Sequence, residues 1–347
     1  MHCVYSSRLS EITQVEGSPM AQIVLGIGTS HSPHLSTALK FWPLHAERDR
    51  NNPDLRFRGV SYNYEQLVKL RESEHIAERE LGDDRWRAKH ERAERAIEKL
   101  ADTLAEVNPD VVVIVGDDQE EMFLADGMPA IAVYWGDAIE CIPPEFGTLP
   151  PSIEASRAGN YGTKREWYPC VPDLGKHIIQ KMMVDGFDVA QLTRQPEGRS
   201  VGHAFNFVWN RLMTHRVIPM VPITLNTYYP PNQPTPARCY SFGQALRQAI
   251  ESWDGNKRVA VLASGGLSHF AIDEELDHRV IDGLLERDEK SLSTLPVEYL
   301  ETGSSEIRNW VAVAGAVEHL KAELVDYVPI HRTPAGTGTG MTFARWS

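Results

Sequence analysis

At 347 residues the chain can bury a hydrophobic core without covalent staples. Its four cysteines (Cys3, Cys141, Cys170, Cys239) lack the close spacing of zinc sites or redox dithiols, so they read as reduced thiols. A formal net charge of −13, with Lys and Arg interleaved among acids as in Arg85–Lys99 (RWRAKHERAERAIEK), excludes a binder of nucleic-acid backbone. No apolar run is long enough to span a bilayer and residues 1–19 lack the apolar core of a secretory signal, so the sequence predicts a disordered leader, then one domain over 20–347, in the cytoplasm.

In chain order, Ala21–Ile27 (AQIVLGI) predicts a buried strand that runs into Gly28-Thr29-Ser30 and then His31. Residues 41–84 are polar, Arg-rich and dotted with aromatics but show no clean period, whereas Arg85–Val107 reads as a long amphipathic helix stopped by Pro109. Asp110–Val115 (DVVVIV) is β-branched almost throughout, as a strand buried on both faces should be, and Gly116, Asp117, Asp118 and Gln119 follow it. A strand at Ala130–Tyr134, a Pro-rich loop at Ile142–Ser152 and a helix at about Asp173–Asp185 complete the first half. The second half offers a strand at Val217–Leu225, a Pro-rich loop at Asn226–Pro236 and a helix at Cys239–Trp253. Another buried strand, Arg258–Ala263, then ends in Ser264-Gly265-Gly266-Leu267-Ser268-His269. Strand–loop–helix alternation predicts a layered α/β fold with a central, mostly parallel sheet flanked by helices, and ligands bind at the C-terminal ends of such strands.

Three of these loops carry His31, Gln119 and His269, and an imidazole titrates in the range that proton transfer near neutrality needs. Each also has a plain structural reading: a loop cap for His31, a glycine turn for Gly265–His269, a chance histidine for His203. Glu306 opens a predicted helix over Glu306–Leu320, with Ser304 or Ser305 as N-cap, where a carboxylate simply suits the helix dipole. Gly336–Gly340 (GTGTG) fits an anion-binding backbone nest and a tight turn equally well. Nucleotide-binding and hydrolase signatures are absent: Gly26-Ile27-Gly28 lacks the third glycine, and neither GxxxxGK[ST] nor GxSxG occurs.

The ordered elements TSH (Thr29–His31), VVIVGDDQ (Val112–Gln119), GH (Gly202–His203), PITLNTYYPP (Pro222–Pro231), SGGLSH (Ser264–His269) and GSSEIRNW (Gly303–Trp310) resemble class III extradiol ring-cleaving dioxygenases, as in the catalytic β subunit of protocatechuate 4,5-dioxygenase. The resemblance runs from about Met20 to Phe343, and residues 41–84 are its main surplus, an insertion that could form a lid, chiefly over Ser61–Arg79. It implies extradiol (meta) cleavage of a catecholic or related hydroxylated ring with O2 and non-haem Fe(II), Mn(II) or Zn(II) being alternatives, in a homo-oligomer of which a dimer is the first expectation. By the same resemblance His31, Glu306 and Gln119 are the metal ligands, His269 the acid/base catalyst and His203 a further catalytic contact to substrate hydroxyl or oxygen. His34, Asp118, Asn226, Tyr229 and Thr337 are then the substrate contacts. The family's second metal histidine is replaced by Gln119, a neutral and weaker donor, so His34, Asp117 or Asp118 could be called on to support the metal. Alternatives on the same scaffold are a hydrolytic or C–C bond-cleaving metalloenzyme and a non-catalytic subunit with a degraded metal site.

Overall fold

A computed structural model describes residues 20–347; the expected leader and Cys3 lie outside the described residues. The strands are β1 (Gln22–Thr29), β2 (Leu55–Phe57), β3 (Val60–Tyr62), β4 (Val111–Asp117), β5 (Ile131–Tyr134), β6 (Ala138–Cys141), β7 (Glu166–Pro169), β8 (Ala190–Leu192), β9 (Met220–Leu225), β10 (Arg258–Ser264), β11 (Ala322–His331) and β12 (Gly338–Trp346). The helices are α1 (Trp42–Arg50), α2 (Tyr64–Leu70), α3 (Ile76–Glu80), α4 (Asp83–Val107), α5 (Pro151–Glu154), α6 (Arg157–Tyr161), α7 (Pro172–Val184), α8 (His203–Arg211), α9 (Pro236–Glu251), α10 (Glu274–Glu286), α11 (Glu289–Ser293) and α12 (Ile307–Val317).

Eight strands form one sheet in the order β11-β12-β1-β10-β4-β9-β5-β8. Its centre, β1, β10, β4 and β9, is parallel, while β12 runs antiparallel to both β1 and β11. The expected layered α/β architecture is therefore present. All seven residues of β4 are buried, and alternation splits them: Val111, Val113 and Val115 face a core packed by α7, α9, α10 and α12, while Val112 and Ile114 face one packed by α4 and α8. Helix α4 covers its sheet face with Ala93, Ala96, Ile97, Leu100 and Leu104, a spacing of three and four that puts them on one stripe, and ends at Asn108 in the left-handed region. Helices α9 and α12 approach so closely that a Cβ on Gly243 would lie 1.9 Å from the Ala312 carbonyl oxygen, and only glycine permits that crossing.

Most predicted elements appear within a few residues of their expected bounds, and the departures have local causes. Glu306 does not open a helix capped by Ser304 or Ser305; it sits in a 3₁₀ turn, Thr302–Glu306, just before α12. Ser304 is occupied elsewhere, accepting from the His269 backbone N–H and donating to its carbonyl oxygen, both at 3.0 Å. The GTGTG stretch closes the turn of the β11–β12 hairpin with Gly336 and Thr337 and opens β12 with Gly338–Gly340: Gly336 has φ +72° and the Arg332 N–H donates to the Thr337 carbonyl at 2.6 Å. Residues 41–84, aperiodic in sequence, form α1, the β2–β3 hairpin, α2 and α3. Their anchor is Trp42, fully buried, edge-on to His34 at 4.8 Å and 5.9 Å from Trp86, with its indole N–H on the Thr37 carbonyl. None of the described helices is long and apolar enough to cross a membrane.

Candidate active site

Because β1, β10, β4 and β9 are parallel, their C-terminal ends meet at one edge of the sheet, and His31, Gly265–His269 and Asp117–Gln119 emerge together. The turn before α12 adds Glu306 to them. One nitrogen or oxygen each from His31, Asp117, His203 and Glu306 lie within 4.8 Å of one another, all four residues buried. His31, His203 and Glu306 of this cluster line a cavity of about 540 Å³, together with His269, Gln119, Arg48, Asp49 and Arg332, while Asp117 lies buried behind them.

Hydrogen bonds behind the cluster fix its atoms. Ser264 Oγ donates to the Ala204 carbonyl at 2.7 Å, so its lone pair accepts from His31 Nδ1 at 3.1 Å, leaving His31 Nε2 bare. That nitrogen is buried without a hydrogen bond, 3.2 Å from Glu306 Oε2. An imidazole nitrogen and a carboxylate oxygen buried against each other, with no other hydrogen-bond partner for the nitrogen, make a donor set that fits a divalent ion. Glu306 Oε2 also accepts from the Gly266 N–H at 2.6 Å, and Asp117 accepts from Asn309 Nδ2 at 3.3 Å and Gln119 Nε2 at 3.1 Å. Such outer contacts orient ligands.

Charge is concentrated here. Burial alone would raise the Glu306 carboxyl, but His31 and His269 outweigh it and hold it well below the usual carboxylate range. Burial and then the Glu306 charge push Asp117 upward. Burial opposes the charged form of His203, yet Glu121, whose Oε1 lies 2.6 Å from its Nδ1, raises it to about 10. His269 Nδ1 donates to the Leu267 carbonyl at 2.8 Å, which leaves Nε2 toward the cavity, 3.3 Å from Glu306 Oε1. Gly303 must be glycine because a Cβ there would lie 2.1 Å from the His269 ring.

Of the residues expected from sequence, His31, Glu306, Gln119, His203 and His269 are brought together. Gln119, however, presents its amide nitrogen to Asp117 and to Glu306 Oε1 (3.3 Å), and it is Asp117 and His203 that complete the candidate donor group with His31 and Glu306. The five expected substrate contacts do not line the cavity. His34 packs between Trp42 and His45, with a ring separation of 4.4 Å from the latter. Asp118 accepts from the backbone N–H groups of Met122 and Phe123, and burial and then Glu121 push it up to about 7. Asn226 accepts from the Tyr229 N–H and donates to its carbonyl, closing their own loop. Thr337 is hydrogen-bonded to Thr333 at 2.8 Å. Sequence reasoning missed Glu121, Arg48, Asp49 and Arg332, since no motif distinguishes them from surface charges.

Known proteins give this geometry a context. A gallate dioxygenase of Pseudomonas putida is 30% identical over 157 residues, 42% of this chain and 45% of that protein. A 2,3-dihydroxyphenylpropionate/2,3-dihydroxicinnamic acid 1,2-dioxygenase of Azotobacter vinelandii is 28% identical over 173 residues, 49% of this chain and 48% of its own length. The chain thus spans about half the length of the curated relatives it matches. Residues 83–342 match the family described as the catalytic LigB subunit of aromatic ring-opening dioxygenase, a range that includes every cluster residue except His31. The chain belongs to that family.

Proposed function

We propose that this protein opens a catecholic or related hydroxylated aromatic ring by extradiol cleavage with O2, using a divalent metal, Fe(II) by preference. The observation that carries this reading is His31 Nε2, without a hydrogen-bond partner, facing Glu306 in a cavity that His269 also lines, with Asp117 in the same donor cluster. His31, Asp117 and Glu306, the three deepest of the cluster, would hold the ion; His203, the most exposed of the four at 8%, meets what enters from the cavity. When bound, the ion supplies the Lewis acidity that favours a doubly ligated catecholate and the redox chemistry that engages O2.

The protein's own groups do the rest. His269, with Nδ1 tied to the Leu267 carbonyl, offers Nε2 to take a proton from a ring hydroxyl and to return it as the ring opens. His203, locked through Nδ1 by Glu121, presents Nε2 to the second hydroxyl or to oxygen and can donate there as an imidazolium. Gln119 braces the two carboxylates by donating to both, a positioning role.

Anaerobic loading with Fe(II) followed by O2-uptake measurements over a catechol panel tests the proposal. Metal-dependent uptake is expected, and none across the panel would overturn it. The carboxylate-rich donor set favours hard cations, which supports a second reading, a Lewis-acid metalloenzyme that cleaves without O2. Turnover under strict anaerobiosis, with Zn(II) as effective as iron, would select that one.

A further inference from the structure

Arg332 follows β11 and is 5% exposed. Its Nε lies 2.7 Å from Asp49 Oδ2 on α1, out of line for a hydrogen bond, and its Nη2 has no hydrogen-bond partner. A guanidinium carries five donors in a planar fork, so one carboxylate oxygen at one edge leaves most of that fork unused in a place where unsatisfied donors are costly. Both residues line the cavity, and so does Arg48, which forms no ion pair among the described residues.

The sheet places this wall. Strand β11 is antiparallel to β12, and β12 to β1, so β11 and β1 point the same way and Arg332 leaves the sheet at the same edge as His31. They are two strands apart, about 10 Å of backbone separation at the usual strand spacing. Long side chains reaching back from that position can meet the far side of a ring whose adjacent oxygens point at His31 and Glu306. The sequence had offered the Thr337 loop as the anion site. In the structure that loop accepts from the Arg332 N–H and so holds the arginine in place.

We propose that Arg332, with Arg48, binds a carboxylate substituent on the substrate ring, and that this pair selects aromatic acids over neutral rings. Two guanidinium groups against the single Asp49 carboxylate leave one positive charge uncompensated on this wall, and a planar carboxylate matches the fork of Arg332. The inference rests on the ring-opening reading only for the identity of the ring.

The test compares 3,4-dihydroxybenzoate with 3,4-dihydroxybenzamide, which share the ring and differ in charge. The parent protein should favour the acid by about tenfold or more in kcat/KM. Arg48→Gln should reduce that ratio severalfold through a higher KM for the acid, and the paired change Asp49→Asn with Arg332→Gln, which removes the fork of Arg332 without leaving a buried charge unpaired, should also reduce it severalfold, to what Arg48 alone supplies. An unchanged ratio in the folded double variant would overturn the proposal. Should the buried pair prove essential for folding, Arg48→Glu at its exposed position serves instead: the KM for the acid should rise at least about fivefold, and no rise would overturn the proposal. Calorimetric titration with 4-hydroxybenzoate and 4-hydroxybenzamide separates the two readings. Arginine-dependent binding of the acid, with no ring opened by any variant, keeps the anion site and removes the dioxygenase reading. Equal binding of both compounds by parent and variants removes the anion site even if rings open.

Discussion

The two walls of the cavity are built differently. The floor hangs from the ends of parallel strands whose backbones are hydrogen-bonded through the sheet, and each ionisable side chain there is steadied from behind: His31 by Ser264, His203 by Glu121, His269 by Leu267, Glu306 by Gly266. The opposite wall comes from α1 and the β11–β12 turn, held by side-chain packing around Trp42 and by the Arg332–Asp49 ion pair. Chemistry that needs fixed distances sits on the sheet, and recognition that can vary sits on loops and on α1, which lies outside the matched range of residues 83–342.

This contrast can be broken at several points. His269→Gln should lower kcat by about 10²- to 10⁴-fold while metal content, measured by elemental analysis, stays at the parent level. Loss of metal in that variant would make His269 a ligand. Trp42→Ala should destabilise the protein by about 3–5 kcal/mol in denaturant melts, because the indole is fully buried among His34, Trp86 and His90. A change below about 1 kcal/mol would show that α1 is held by something else. Asp117→Ala should weaken Fe(II) binding by about tenfold or more, whereas Gln119→His leaves iron retention unchanged. The reverse result would move the third ligand to position 119.

The smallest effect is a pH dependence of the second wall. Burial, reinforced by Arg332 near His45 and by Lys89 near His331, lowers both imidazoles to about 3. At these two sites the folded state therefore binds fewer protons than the unfolded chain, whose histidines titrate near 6.5, and their contribution to stability falls as pH drops through 6.5 toward 3. His203 and Asp118, both raised, act in the opposite sense, so the effect is read against a variant with His45 and His331 replaced by Gln: relative to it the parent should lose about 1 kcal/mol between pH 7 and pH 6 in denaturant midpoints, and no difference would mean that these rings are charged in the fold.

How much was legible in the sequence followed from period and motif. β4 and β10 announce themselves because a strand buried on both faces must be apolar throughout, and α4 because its apolar stripe repeats every three to four residues. That His34, Asp118, Asn226 and Thr337 lie outside the cavity lining was not legible, because their polar groups turn to local partners that a linear motif does not display. The helices within residues 41–84 escaped because α1 has no amphipathic period and is fixed by aromatic packing.

By itself the sequence determined the layered α/β fold, the family resemblance and the gathering of His31, Gln119, His203, His269 and Glu306, since strand ends and glycine turns are local properties. Only the tertiary structure decided that Gln119 presents its amide nitrogen to Glu306, and that Arg332 and Asp49 meet on one wall of the cavity. Those outcomes depend on which side chains face each other across 187 or more residues of chain, as Gln119 faces Glu306, and local propensity carries no information about such pairs.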